Sequence, residues 1–105
     1  MPKIVSNAGP LIALASIGQF ELLHNLFGEV IIPPAVRAEV LAGDEGEAGV
    51  SELIAAKWIK TVSVQDDLAV QLLRDELGAG ESEAIVLAKE TAADWTLLYD
   101  LAARR

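Results

Sequence analysis

Four side chains that could supply oxygen ligands follow or flank the predicted strands of this sequence: Asn7, Glu39, Glu81 and Asp100. Because the carboxyl ends of parallel strands meet at one edge of a sheet, where ligands bind, we expect these side chains to lie close together. Three or four oxygen ligands without histidine or cysteine suit Mg²⁺ or Mn²⁺. Such an ion activates water and stabilises the charge that develops on a phosphodiester. The residues therefore predict metal-dependent phosphodiester hydrolysis.

Helical geometry separates two neighbouring acids, Glu81 and Glu83. At 100° per residue, Ala84, Ile85 and Ala88 form an apolar stripe, and Glu81 falls at its centre. Glu83 falls nearly opposite, so we expect its side chain to face water. A carboxylate on a buried face loses hydration free energy unless a cation or a hydrogen-bond donor compensates it. This position favours Glu81 over Glu83 as a ligand.

Each candidate ligand also has an ordinary structural interpretation. Glu81 lies in a first helical turn, where the helix dipole favours an acid. Glu39 lies on the flank of its helix, where it could be a surface acid paired with a nearby base. Asp100 could cap a terminal helix, and Asn7 could be a turn residue. Only the convergence of these residues on one edge of the sheet favours a site.

The elements that would position these residues alternate between strands and helices. Short β-branched or alternating stretches predict strands over 3–6, 30–32, 58–64 and 95–99. Helical spacing predicts helices over 10–18, 19–27, 35–42, 50–57, 68–77, 80–90 and from 100 onward, with an acidic loop over 43–49. This order is typical of a parallel sheet with helices on its faces. We expect one α/β domain over 1–105.

Composition excludes several classes of function. The chain has 105 residues and no cysteine, which rules out disulfides, thiolate zinc sites, iron–sulfur clusters and cysteine nucleophiles. Its net charge of −8 disfavours charge-driven binding to nucleic acid or to an anionic membrane. The single histidine, His24, is expected to pack or to face solvent, so no serine–histidine–aspartate triad is predicted. Without a signal peptide or an apolar span, we expect a cytoplasmic protein.

Two blocks of this sequence resemble a family. The opening IVSNAGPLIALASIGQFELLHNLFGEVIIPPAVRAEV resembles the amino-terminal motif of the PIN-domain superfamily, in a VapC-toxin-like branch found in bacteria and archaea. The blocks GAGESEAIVLA and DWTLLYDLAARR resemble the second half of that domain. The resemblance implies a three-layer α/β/α fold with a central parallel sheet of about four strands. It also implies an endoribonuclease dependent on Mg²⁺ or Mn²⁺, with a role as the toxin of a toxin–antitoxin pair.

The resemblance assigns roles to individual residues. Glu39, Glu81 and Asp100 correspond to catalytic acids, and together with Asn7 they correspond to metal ligands. Two neighbouring residues, Ser6 and Glu83, could support these ligands. The bases near the predicted edge are candidate contacts for an RNA phosphate, and they are Arg37, Arg104 and Arg105.

Several positions depart from the family pattern. Position 7 is asparagine where active members generally have aspartate, position 9 is glycine where serine is common, and Tyr99 replaces the first acid of the usual pair. We also expect the chain to lack the usual last strand and helix. These departures leave an alternative, a PIN-like module that has lost catalysis and binds a partner protein. Its open sheet edge could pair with a second copy or with another protein.

Overall fold

A computed structural model describes residues 2–44 and 46–99 of the chain. Four strands form one parallel sheet in the order β3-β2-β1-β4. The strands are β1 (Ile4–Ser6), β2 (Val30–Ile32), β3 (Ile59–Thr61) and β4 (Trp95–Leu97). The helices are α1 (Ala8–Ser16), α2 (Glu21–Phe27), α3 (Pro34–Leu41), α4 (Val50–Ala55), α5 (Asp67–Arg74) and α6 (Ala79–Glu90). The architecture is the three-layer α/β/α fold that the sequence predicts, which is thereby confirmed.

Burial of the strands falls from the centre of the sheet to its edges. All three residues of β1 are buried, whereas β3 and β4 each expose two of their three residues. A parallel strand at the centre is covered by helices on both faces, which explains the β-branched run at Ile4 and Val5. The helices complete the core with large buried side chains, among them Leu11, Leu53 and Leu87.

The two edge strands are shorter than their sequence patterns predict. The pattern predicts strands over 58–64 and 95–99, and the structure shows Ile59–Thr61 and Trp95–Leu97. Each edge strand has a three-residue neighbour, β2 or β1, and pairs in register with it. The available backbone partners therefore set the length of each edge strand, whatever its own β-propensity.

Helix α1 begins two residues earlier than predicted, at Ala8 instead of Pro10. Pro10 is accommodated in the first turn because the backbone N–H groups there have no partner inside the helix. The helix consequently starts directly after Asn7, at the end of β1. This start brings the first turn of α1 to the carboxyl edge of the sheet.

Aromatic packing fixes α2 beside β3. The ring of His24 stacks on Trp58 with centroids 5.1 Å apart, and Phe20 lies 5.4 Å from the same indole. The imidazole Nδ1 is also 2.8 Å from the carbonyl oxygen of Gly28. His24 thus lies in an aromatic cluster at this side of the fold. No helix in the described part of the chain is both long enough and apolar enough to cross a membrane.

Candidate active site

The candidate site lies at the carboxyl edge of the sheet, where β1 and β4 end side by side. Ser6 pairs with Leu97, and the next backbone N–H, that of Asn7, donates to the carbonyl oxygen of Leu97 at 3.0 Å. The Ser6 hydroxyl is buried and donates to the carbonyl oxygen of Asn7 at 2.9 Å. Ser6 therefore supports the chain at the start of α1. Asp100, Arg104 and Arg105 lie outside the described residues.

The side chain of Asn7 is bound to the backbone of Tyr99. Its Nδ2 donates to the Tyr99 carbonyl oxygen at 3.3 Å, and its Oδ1 accepts from the Tyr99 N–H at 3.2 Å. Asn7 is only 7% exposed, and although it stands at the N-cap of α1, its side chain does not cap that helix. Both polar atoms of Asn7 are thus engaged at the end of β4.

Gly9 allows the backbone of Tyr99 to approach α1. A Cβ atom at position 9 would lie 1.9 Å from the Tyr99 carbonyl oxygen and 2.7 Å from the carbonyl carbon. Atoms at such distances overlap, so a side chain here requires the 99 backbone to move. The glycine that departs from the family's common serine therefore has a steric reason in this fold.

The packing of α3 against α6 places the Glu39 carboxylate beside Gly80, the residue that precedes Glu81. Gly80 is buried at this crossing, and a Cβ atom there would lie 2.9 Å from Oε1 of Glu39 and 3.4 Å from Cγ2 of Val36. The Glu39 carboxylate therefore lies over the first turn of α6, next to the residue that precedes Glu81. Glu81 is half-buried and Glu39 is exposed. The sequence analysis did not predict this close approach, and the signal that could have indicated it is the glycine at position 80.

The prediction that Glu83 faces water is wrong. Its Oε1 accepts a hydrogen bond from the backbone N–H of Ala35 at 3.0 Å, and its side chain is half-buried. Helix α6 packs against α3, α5, β1 and β4, so more than one of its faces is covered. The buried residues of α6 are accordingly Gly80, Ser82, Ala84, Val86 and Leu87, which do not form one stripe. Of the predicted stripe, Ala84 is buried, and Ile85 and Ala88 are half-buried. The periodicity of a single apolar face does not show that a helix is covered on several faces.

Glu83 replaces a cap that α3 lacks. The residue before α3 is Pro33 and the first helical residue is Pro34, so no side chain of the helix itself can accept from the first turn. The N–H of Ala35 is the first donor of the helix, and Glu83 accepts it from α6. This acid therefore joins the two helices that carry Glu39 and Glu81.

The candidate ligands Glu39 and Glu81 differ from Glu83 in their hydrogen bonding. Among residues 2–44 and 46–99, no hydrogen bond or ion pair is made by the carboxylate of Glu39 or of Glu81. Carboxylate oxygens are ligands that Mg²⁺ and Mn²⁺ prefer, so the residue types of Glu39 and Glu81 suit such an ion. Within the same ranges, no three histidine, cysteine, aspartate or glutamate side chains are grouped to hold a metal. Arg37, half-buried on α3, precedes Glu39 by two residues.

Comparison with known proteins gives one match. A family model described as DUF3368, PIN domain, matches residues 3–105. The match thus covers every element described above, from β1 to β4. Searches of curated proteins and of solved structures give no match.

Proposed function

Because the chain belongs to the PIN-domain family, a nuclease-type fold, we propose that it is an endoribonuclease that requires Mg²⁺ or Mn²⁺. One observation carries the proposal: α3 packs against α6 so that the Glu39 carboxylate lies beside Gly80, the residue before Glu81, and neither carboxylate has a hydrogen bond or ion pair among the described residues. Of the other two acids on these helices, Glu83 accepts a hydrogen bond from the N–H of Ala35, and Glu90 accepts from those of Gln65 and Asp66. Among the described residues of α3 and α6, the two acids without a protein partner are thus the two that the resemblance assigns to catalysis.

Glu39, Glu81 and Asp100 would hold the ion, which supplies a Lewis acid and an activated water when bound. The three carboxylates would offset the charge of the ion. Their oxygens would orient the attacking water by accepting hydrogen bonds from it. The chain as a whole repels RNA, since its net charge is −8. We therefore expect RNA binding to depend on the metal, with Arg37, Arg104 and Arg105 as contacts to phosphate.

The test is cleavage of a fluorogenic RNA by the purified chain with Mn²⁺. Glu39→Gln, Glu81→Gln and Asp100→Asn each remove one charge and nearly preserve volume, and we expect each to lower the rate by about 100-fold or more. Glu29→Gln is the matched control, because Glu29 is exposed and precedes β2 at the opposite edge of the sheet. Undiminished cleavage by the three site variants would overturn the assignment.

A protein-interaction module that has lost catalysis is the second candidate function. Strand β4 is an edge strand that pairs only with β1 among the described strands, and its Trp95 is 64% exposed. Unpaired edges of this kind add strands from other chains. Calorimetric titration separates the two functions: saturable Mn²⁺ binding that is lost in Asp100→Asn supports the nuclease. Absence of binding at millimolar Mn²⁺, together with dimers in light scattering, supports the module.

The biological role is proposed from the resemblance to VapC-type toxins. We propose a cytoplasmic toxin whose ribonuclease activity is restrained by an antitoxin protein. Expression of the chain alone should then arrest growth of a bacterial host, and Glu81→Gln should relieve the arrest. Equal arrest by both forms would contradict a toxin that acts through this site.

A further inference from the structure

The carboxamide of Asn7 extends the pairing of β1 with β4 by one residue. Main-chain pairing ends where Ser6 lies opposite Leu97, and the N–H of Asn7 donates to Leu97 at 3.0 Å. Beyond that point the Asn7 side chain both donates to and accepts from the backbone of Tyr99, at 3.3 and 3.2 Å. The side chain thus makes the two bonds that a strand partner would make.

The pair of hydrogen bonds to Tyr99 needs a donor and an acceptor on one side chain, which a carboxamide supplies. Asparagine carries a donor and an acceptor on one planar group, whereas an ionised aspartate carries acceptors alone. With aspartate at position 7, an oxygen would face the Tyr99 carbonyl oxygen across the 3.3 Å now bridged by the Nδ2 donor. In a site that is 7% exposed, two acceptors in contact are unfavourable because little water reaches them.

Gly9 serves the same contact from the other side. The Tyr99 carbonyl oxygen that accepts from Asn7 is the atom that a Cβ at position 9 would meet at 1.9 Å. The backbone at Tyr99 is therefore held between an amide that binds it and a helix turn that has room for it only because position 9 is glycine. Two departures from the expected family pattern, at positions 7 and 9, thus act on one peptide group.

We propose that Asn7 is a positioning residue and not a metal ligand. It holds the backbone of Tyr99, the residue directly before Asp100, and thereby sets where the chain carrying that acid leaves β4. The consequence for the metal rests on the proposed function, because it assumes that Asp100 is a ligand. The contact between Asn7 and Tyr99 does not depend on that assumption.

The decisive variant is Asn7→Asp, for which the two roles predict opposite results. As a ligand, aspartate adds charge to the site and should bind Mn²⁺ more tightly, although repulsion among the carboxylates also lowers the Tm in EDTA. The Mn²⁺ affinity is therefore the measurement that separates the two roles. If Asn7 is a positioning residue, the variant loses its hydrogen bonds to Tyr99, so the Tm in EDTA should fall by about 5 °C or more. Titration of the folded variant at low temperature should then show Mn²⁺ affinity weakened about 10-fold.

A second variant keeps the test decisive if Asn7→Asp does not fold. Gly9→Ala should lower the Tm in EDTA and weaken Mn²⁺ binding in the same way, although alanine normally stabilises a helix relative to glycine. Gly78→Ala is its control, since, apart from its chain neighbours, no atom of the described residues lies within 4 Å of a Cβ there.

The Mn²⁺ affinities and Tm values of these variants either support or overturn the positioning role of Asn7. Tighter or unchanged Mn²⁺ affinity in folded Asn7→Asp overturns the positioning role, as does an unchanged Tm in both Asn7→Asp and Gly9→Ala. If the parent chain binds no Mn²⁺, the proposed nuclease fails. The Tm values in EDTA then still decide whether Asn7 holds Tyr99.

Discussion

Replacement of Glu83 by alanine should weaken the fold, because this carboxylate caps a helix that cannot cap itself. The variant removes the 3.0 Å hydrogen bond to the N–H of Ala35 and leaves that donor without a protein partner near two prolines. Hydrogen bonds to charged groups contribute about 1.5–3 kcal/mol. Since Glu83 is half-buried, and water screens part of its charge, we use the lower end, about 1.5 kcal/mol.

This free energy converts to a measurable shift in melting temperature. Unfolding entropy near 60 °C is about 2.1 cal/mol/K per residue, or about 0.22 kcal/mol/K for 105 residues. A loss of about 1.5 kcal/mol therefore lowers the Tm by about 7 °C. Glu83→Gln keeps an acceptor oxygen and loses only the charge, so we expect a decrease of about 2 °C.

The assay is thermal unfolding followed by circular dichroism in EDTA, so that metal binding does not contribute. Glu81→Ala is the matched control, since it removes the same side chain from the same helix where no described hydrogen bond is lost. We expect its Tm to stay within about 2 °C of the parent, because alanine is also the better helix former. Equal Tm values for Glu83→Ala and Glu81→Ala would refute the capping role.

Two further variants separate catalysis from stability. Gly80→Ala places a Cβ 2.9 Å from Oε1 of Glu39, and this flexible carboxylate can move, so the Tm should hold or rise while RNA cleavage falls at least about 10-fold. Unchanged cleavage with an unchanged Tm would show that the position of Glu39 does not matter. Asp66→Ala removes the N-cap of α5, which accepts from Ala69 at 3.0 Å, and should cost about 1 kcal/mol, or about 5 °C, in thermal unfolding. Its cleavage rate below the Tm should match the parent, and a large loss would place α5 in the site.

Local sequence patterns predicted the order of the strands and helices well. They predicted the lengths of the edge strands β3 and β4 poorly. The buried run Val30–Ile32 was assigned at its observed bounds, since glycine and proline delimit it on either side. Strand β4 was predicted two residues too long because nothing local to 95–99 shows that its neighbour ends at Ser6. Pairing is a property of two segments, so it cannot be read from one.

The candidate site divides in the same way. The topological rule for parallel sheets predicts the carboxyl edge as the site and proposes the acids Glu39 and Glu81 from their places along the chain. It could not distinguish these acids from Glu83 by bonding, because the partner of Glu83 is a backbone N–H 48 positions away, at Ala35. Nor could it show that Asn7 binds Tyr99, a contact across 92 positions.

By itself, the sequence determined the fold class, the absence of cysteine chemistry and the acidic balance, and it proposed a short set of candidate oxygen ligands. The first three follow from composition and from the order of predicted elements, and the candidate ligands follow from the sheet-edge rule and the family resemblance. Only the tertiary structure decided which polar groups are already satisfied. The packing of α3 on α6 uses Glu83 and leaves Glu39 and Glu81 without a partner among the described residues, and the contact between β1 and β4 uses Asn7. Most buried polar groups must be satisfied within the fold, and that requirement identifies Glu83 and Asn7 as structural residues.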